Sequence, residues 1–144
     1  MRTFAEGLRI TTTEALQIVD ITGDVRALVG RSGVSEGLVT LVSNHTTAYV
    51  TLNESEQALQ RDMTGFLARV APAAAGYGHD VAPVDGRANA HAHLLGLFMS
   101  ASVSIPLIQG RPLLGTWQSI LFVELDGPRE GRLLNVHVIG EASP

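Results

Sequence analysis

The side chains with the most chemical capacity in this chain are its histidines. There are five in 144 residues. Two of them, His91 and His93, stand two positions apart in RANAHAHLLG, residues 87–96, within an alanine and leucine run that otherwise reads as a plain helix. Residues two apart on a regular helix project about 200° from one another, so the two rings cannot serve one ligand from the same face. Both fall in the first turns, where the helix dipole disfavours an imidazolium and keeps the ring neutral, the form that ligates a metal or accepts a proton. Spacing does not choose between them, and the plainer alternative for each is a ring that bonds a neighbouring carbonyl. His45 falls in a β-like stretch and His79 on an irregular loop. His137 alternates with apolar residues of the closing β segment, which reads as a surface or interface position.

Other groups could join them. Glu54 and Asp62 flank the start of a long helical stretch, where they can supply a general base or orient a histidine; acidic groups there also simply favour the helix dipole. Gln118 and Glu124 share a strand face with Ile120 and Phe122, a polar pair that marks a pocket or, more plainly, a subunit seam. Glu54, Asp62 and Gln118 are the catalytic candidates. Asn89, His91, Glu124 and Arg129 are the ligand-binding ones, Arg129 because it follows a D-G-P turn and can meet an anion. Trp117 alternates with Leu121 and Val123, which points to the core or an interface.

Composition narrows the chemistry. Apolar residues make up 45% and charged ones 17%, with mean hydropathy +0.20, a surplus that favours a buried subunit interface. A net charge of −4 and a pI near 5.6 argue against nucleic acid, which requires a basic face. With no cysteine, any metal must be held by histidine and carboxylate. All ten basic residues are arginine, which excludes Schiff-base chemistry and the phosphate-binding lysine loop. The opening MRTFAEGLRI lacks a long apolar stretch and no segment is long enough to cross a bilayer, so a cytoplasmic protein with no membrane partner is expected.

The elements that must position these groups read as one domain over 1–144. Residues 4–22 suggest two β segments, 23–33 a short helix, and 37–54 a long strand or a pair broken near Asn44. Leu59, Met63, Phe66, Leu67 and Val70 form one apolar helical stripe, with Asn53 as N-cap, Glu56 reaching back, and Pro72 closing it. Residues 73–87 read as a loop, and Asn89 caps a helix from about Ala90 to Met99. Three β segments follow, joined at Gln109–Arg111 and Asp126–Gly127. The sum, about seven β segments and three helices, is α+β, an antiparallel β-sandwich-like sheet with helices on one side.

The segments NHTTAYVTLNESE (44–56), YGHD (77–80), NAHAHL (89–94), IPLIQGRPLLGTWQSILFVELDGPR (105–129) and VHVIG (136–140) resemble, in order, the YjbQ family, whose members are associated with secondary thiamine-phosphate synthase activity. LGTWQ beside E-L-D-G-P-R is its most specific part. The resemblance implies a small α+β homotrimer with three histidines, His45, His79 and His93, converging on one site; His91 stands where the family has aspartate. Three neutral imidazoles with an open fourth position would suit zinc and lower the pKa of its water to about 7. With an arginine, the same rings would suit a phosphorylated or anionic metabolite. The implied function is catalysis on a phosphorylated small molecule; the alternative is a binding module for a metal or an anionic metabolite.

Overall fold

Extended segments rich in Val, Thr and Leu need a neighbour to satisfy their backbone N–H and C=O groups, and here they find one in antiparallel pairs. The computed structural model describes residues 1–142. In chain order it contains β1 (Arg2–Thr12), β2 (Gln17–Asp20), α1 (Thr22–Ser32), β3 (Glu36–Ser43), β4 (Ala48–Asn53), α2 (Gln57–Val70), a single 3-10 turn (Gly78–Asp80), α3 (Ala90–Gly96), β5 (Ser102–Ile108), β6 (Arg111–Pro112), β7 (Ser119–Glu124) and β8 (Arg129–Glu141). The strands form two sheets, β1-β8-β3-β5-β6 and β2-β7-β4. This is the α+β architecture expected, and the break near Asn44 falls between β3 and β4. The β5–β6 turn carries Gln109 and Gly110 at φ 51° and 72°, the left-handed pair of a two-residue hairpin, which glycine adopts without strain.

β7 organises the interior. In register it faces β2 on one side and β4 on the other, Val123 lying opposite both Ile18 and Tyr49. Ile120 and Phe122 enter the core between the sheets with Val50, Leu41, Leu134 and Val136, and α1 adds Val25, Leu28 and Val29. Val123 and Leu125 join a second cluster with Ala71, Ala92 and Leu95, on the side of α2 and α3. Ile120 through Glu124 are therefore all buried. The face that Glu124 shares with Ile120 and Phe122 lies between the sheets, while Val123 and Leu125 point to the second cluster, so this strand is covered on both faces.

Three local expectations are corrected. Asn53 does not cap α2: it is still in the β4 ladder, paired with Ser119, and extended backbone cannot also turn into a helix. Glu56 caps instead, its carboxylate accepting from the Ala58 and Leu59 N–H groups at 2.7 Å each. α3 ends at Gly96 rather than Met99, since Leu97, Phe98 and Met99 bond three residues back and wind into tighter turns. Trp117 and Gln118 precede β7, and Trp117 is 74% exposed in this chain, so it does not belong to the core. Among the described residues no helix is long and apolar enough to cross a membrane.

Candidate functional site

The α2–α3 connection folds back over the end of β7, and Asp126 is where they meet. Its carboxylate accepts from Arg87 Nε at 3.1 Å and Nη2 at 3.0 Å, from Arg129 Nη2 at 2.6 Å and from Asn89 Nδ2 at 2.9 Å. Burial raises the cost of its charge, yet the bonds from Arg87 and Asn89 and the charges of Arg129 and Arg87 prevail and hold it below the usual aspartate value. Gly127 lets this turn close, because a Cβ there would collide with the Glu14 carbonyl.

Asn89 is 3% exposed and has both ends engaged. Its Nδ2 faces the Asp126 carboxylate, so its Oδ1 faces His79 Nε2 at 3.1 Å. It makes no capping bond to α3; Asp80 Oδ1 accepts the Ala90 N–H instead at 2.9 Å. His79 and His93 then stand edge-to-face with ring centroids 5.1 Å apart. The 3-10 turn and the first turns of α3 thus bring together two of the three histidines that the family resemblance singles out.

His45, on the β3–β4 connection, is placed differently. Its Nε2 accepts the Leu133 backbone N–H at 3.1 Å. Its pKa is lowered, first by burial and next by the positive charge of Arg132, while Glu124 opposes and Arg129 adds to the shift. A concavity of about 440 Å³ lies between α1 and the β5–β6 turn, but none of the histidines lines it.

Glu124 is fully buried between the sheets. It accepts from Arg132 Nε at 2.7 Å, from Thr12 Oγ1 at 3.0 Å and from the Asp126 N–H at 2.9 Å. Arg132 Nη2 also reaches Glu124 Oε1 at 2.5 Å and Thr47 Oγ1 at 3.0 Å. Thr12 Oγ1 in turn accepts the Arg129 N–H at 3.0 Å. The interior ion pair is therefore bonded, through Thr12 and the Asp126 backbone, to the segment that carries Asp126 and Arg129. Proposed from sequence as a ligand-binding residue, Glu124 has no surface to offer a ligand within this chain.

The remaining candidates disperse. Gln118 accepts the Gly115 N–H with its own Oε1 at 2.8 Å and stabilises a turn. Glu54 and Asp62 are exposed, and no hydrogen bond or ion pair ties their side chains to the Asp126 cluster among the described residues. His91 is half-buried, and its Nδ1 and Asp80 Oδ2 are buried without a hydrogen-bond partner. Among the described residues no three of His, Asp and Glu gather in a way that could hold a metal ion. Sequence reasoning missed Asp126, Arg87 and Arg132. Asp126 was in view within E-L-D-G-P-R, but as a turn residue rather than as the acceptor of two guanidiniums.

The α+β fold, antiparallel curled sheets with three helices, defines a small class with solved members. A YbjQ-like protein of unknown function from Sulfolobus solfataricus superposes with a TM-score of 0.90 at 32% identity, covering 97% of this chain and 99% of that one. A hypothetical protein from Aeropyrum pernix gives 0.86 at 38% identity, covering 98% and 100%. The family model described as UPF0047 protein YjbQ-like matches residues 6–141, and the chain belongs to that family. Relatives include a UPF0047 protein of Methanothermobacter thermautotrophicus, 36% identical over 98% of this chain and 95% of its own length. The UPF0047 protein YugU of Bacillus subtilis is 35% identical over 85% and 89%.

Proposed function

We propose that this protein is a homotrimer that binds a phosphorylated small molecule at the Asp126 cluster and acts on it. The observation that carries the reading is the way Asp126 holds two arginines without exhausting them. Arg87 Nη1 and Arg129 Nε and Nη1 have no acceptor among the described residues, and one carboxylate against two guanidiniums leaves one net positive charge. Their side chains are 36% and 27% exposed, close enough to solvent to meet a ligand. Guanidinium donors held in a fixed plane suit the oxygens of a phosphate ester. His79 and His93 supply imidazoles beside them for proton transfer. Thiamine-phosphate formation, which the family resemblance implies, is the first activity to assay. Exposed Phe66, Leu97, Phe98 and Trp117 support burial against further copies of the chain.

The zinc that the resemblance implies does not fit the three histidines as one chain arranges them. A neutral imidazole has one lone pair, and that of His45 is taken by the Leu133 N–H. His79 and His93 would be the two protein ligands, and the others would have to come from another copy. No step of this reading passes through a metal. The same donor set favours a second reading, an anion-binding module without turnover.

Calorimetry with inorganic phosphate and with thiamine phosphate, on the native protein and on Arg87→Ala, tests the proposal. The variant should lose about tenfold in affinity, about 1.4 kcal/mol, and native affinity in the variant would sink it. Binding without turnover in the thiamine-phosphate assay selects the module. Elemental analysis beside His93→Ala settles whether a metal accompanies the native protein, and light scattering reads the assembly.

A further inference from the structure

The hydrogen bonds at His79 and His45 are of opposite kinds, and that difference has chemical content. Asp126, flanked by two arginines, is a carboxylate and only accepts, so the end of the Asn89 amide facing it must be the NH2. The other end, facing His79 Nε2 at 3.1 Å, is then the carbonyl oxygen, and His79 Nε2 must carry the proton. His45 Nε2 faces a backbone N–H at 3.1 Å, which can only donate, so this nitrogen must be the bare one. Neither conclusion depends on a choice of amide orientation, because each partner has a single hydrogen-bonding capacity.

We propose that His79 and His45, in their neutral forms, are fixed as opposite tautomers: His79 presents a ring lone pair at Nδ1 beside the Asp126 cluster, His45 presents a ring N–H at Nδ1 on the β3–β4 connection, and Asn89 is the positioning residue that sets the former. The inference rests on the reading of this cluster as a binding and catalytic site, and it assigns roles within it. Within it His79 is the proton acceptor, whereas His45, held on the β3–β4 connection, has only a ring N–H left to offer. Asn89 acts through His79 and touches no ligand, which accounts for a buried asparagine whose two ends are both engaged. Asp126 sets the Asn89 orientation and so reaches the ring through one intermediary, while it holds the arginines directly.

The experiment is long-range proton–nitrogen correlation on the histidine rings of the ¹⁵N-labelled native protein, at about pH 8, where imidazoles are neutral. His79 should show a bare Nδ1 and a protonated Nε2, and His45 the reverse. In Asn89→Ala the two nitrogen shifts of His79 should move towards one another as the ring averages between tautomers, while those of His45 stay put. A general loss of structure would move both rings; only a positioning role moves His79 alone. As a second measurement on the native protein, diethyl pyrocarbonate, which acylates a bare imidazole nitrogen, should label His79 and spare His45 despite its partial exposure. Identical tautomers at the two rings, or equal labelling of both, would overturn the inference. Phosphate affinity read on the same samples reports separately on the arginine cluster, so either idea can fail while the other stands.

Discussion

Glu124 and Asp126 are two residues apart, both are carboxylates bonded to arginine, and they serve opposite ends. Glu124 lies wholly inside and every one of its bonds, to Arg132, Thr12 and the Asp126 N–H, is internal. Asp126 lies at the rim, where its two arginines keep donors to spare. An ion pair saturated by the protein can only hold the protein together. One that leaves donors unmatched beside solvent can take a ligand. The contrast arises from the end of β7: Glu124 still points between the sheets, and the turn that begins at Asp126 brings the next carboxylate, itself buried, against two partly exposed arginines.

The comparison breaks most sharply at Glu124. Replacing it with alanine strands the Arg132 charge between the sheets and should cost about 3–5 kcal/mol in urea unfolding; a loss below about 1 kcal/mol would mean that water reaches the pair. Asp126→Asn should cost less, about 1–3 kcal/mol, because Arg87 and Arg129 can turn to solvent. Its larger effect should be on phosphate binding, where the arginines lose their alignment while the local charge grows more positive. A variant with native affinity and native stability would show that the carboxylate organises nothing.

Smaller still is the effect of acid through His45. Its folded value lies below the ordinary 6.5, chiefly through burial, so the unfolded chain takes up the proton more readily. The associated stability is complete above about pH 6.5 and is lost as pH falls towards the folded value. His45→Gln, which keeps an acceptor for the Leu133 N–H, should therefore flatten the decline of unfolding free energy between about pH 7 and 5. An unchanged slope would place the pH dependence elsewhere. The Asp126 contribution has the same sign but a lower window, present above the ordinary aspartate value of 3.8 and lost in stronger acid.

The smallest effect belongs to a third arginine–carboxylate pair, Arg31 with Glu6 at 2.6 Å, whose side chains are about half exposed. Arg31→Ala should change stability by no more than about 0.5 kcal/mol. A loss comparable with that of Glu124→Ala would overturn the rule that burial separates these pairs.

Much of the scaffold was legible because it rests on local periodicity. The apolar stripe on α2, the break between β3 and β4, the glycine turns and the α+β class all follow from residue types read a few positions at a time. Where the reading failed, a longer-range demand had won. Asn53 is a good cap by type, but its backbone belongs to the ladder with Ser119. Asn89 is a good cap too, but its amide is drawn away by His79 and Asp126. The alternation along β7 assigned its faces, but not that both are buried, because whether a second layer covers a strand is decided by distant elements.

For the site the division is similar. Sequence by itself determined that any ligation must come from histidine and carboxylate, that lysine chemistry is absent, and that residues of the YjbQ pattern lie in order along the chain. Only the tertiary structure decided that His79 and His93 meet, that the lone pair of His45 faces a backbone N–H, and that Asp126 gathers two arginines. The hydrogen bonds that fix this arrangement include His79 to Asn89, Arg87 to Asp126 and Leu133 to His45, which join residues 10, 39 and 88 positions apart. A hydrogen bond depends on direction as well as on partner, and direction is fixed only when the two sheets close over Glu124 and Arg132.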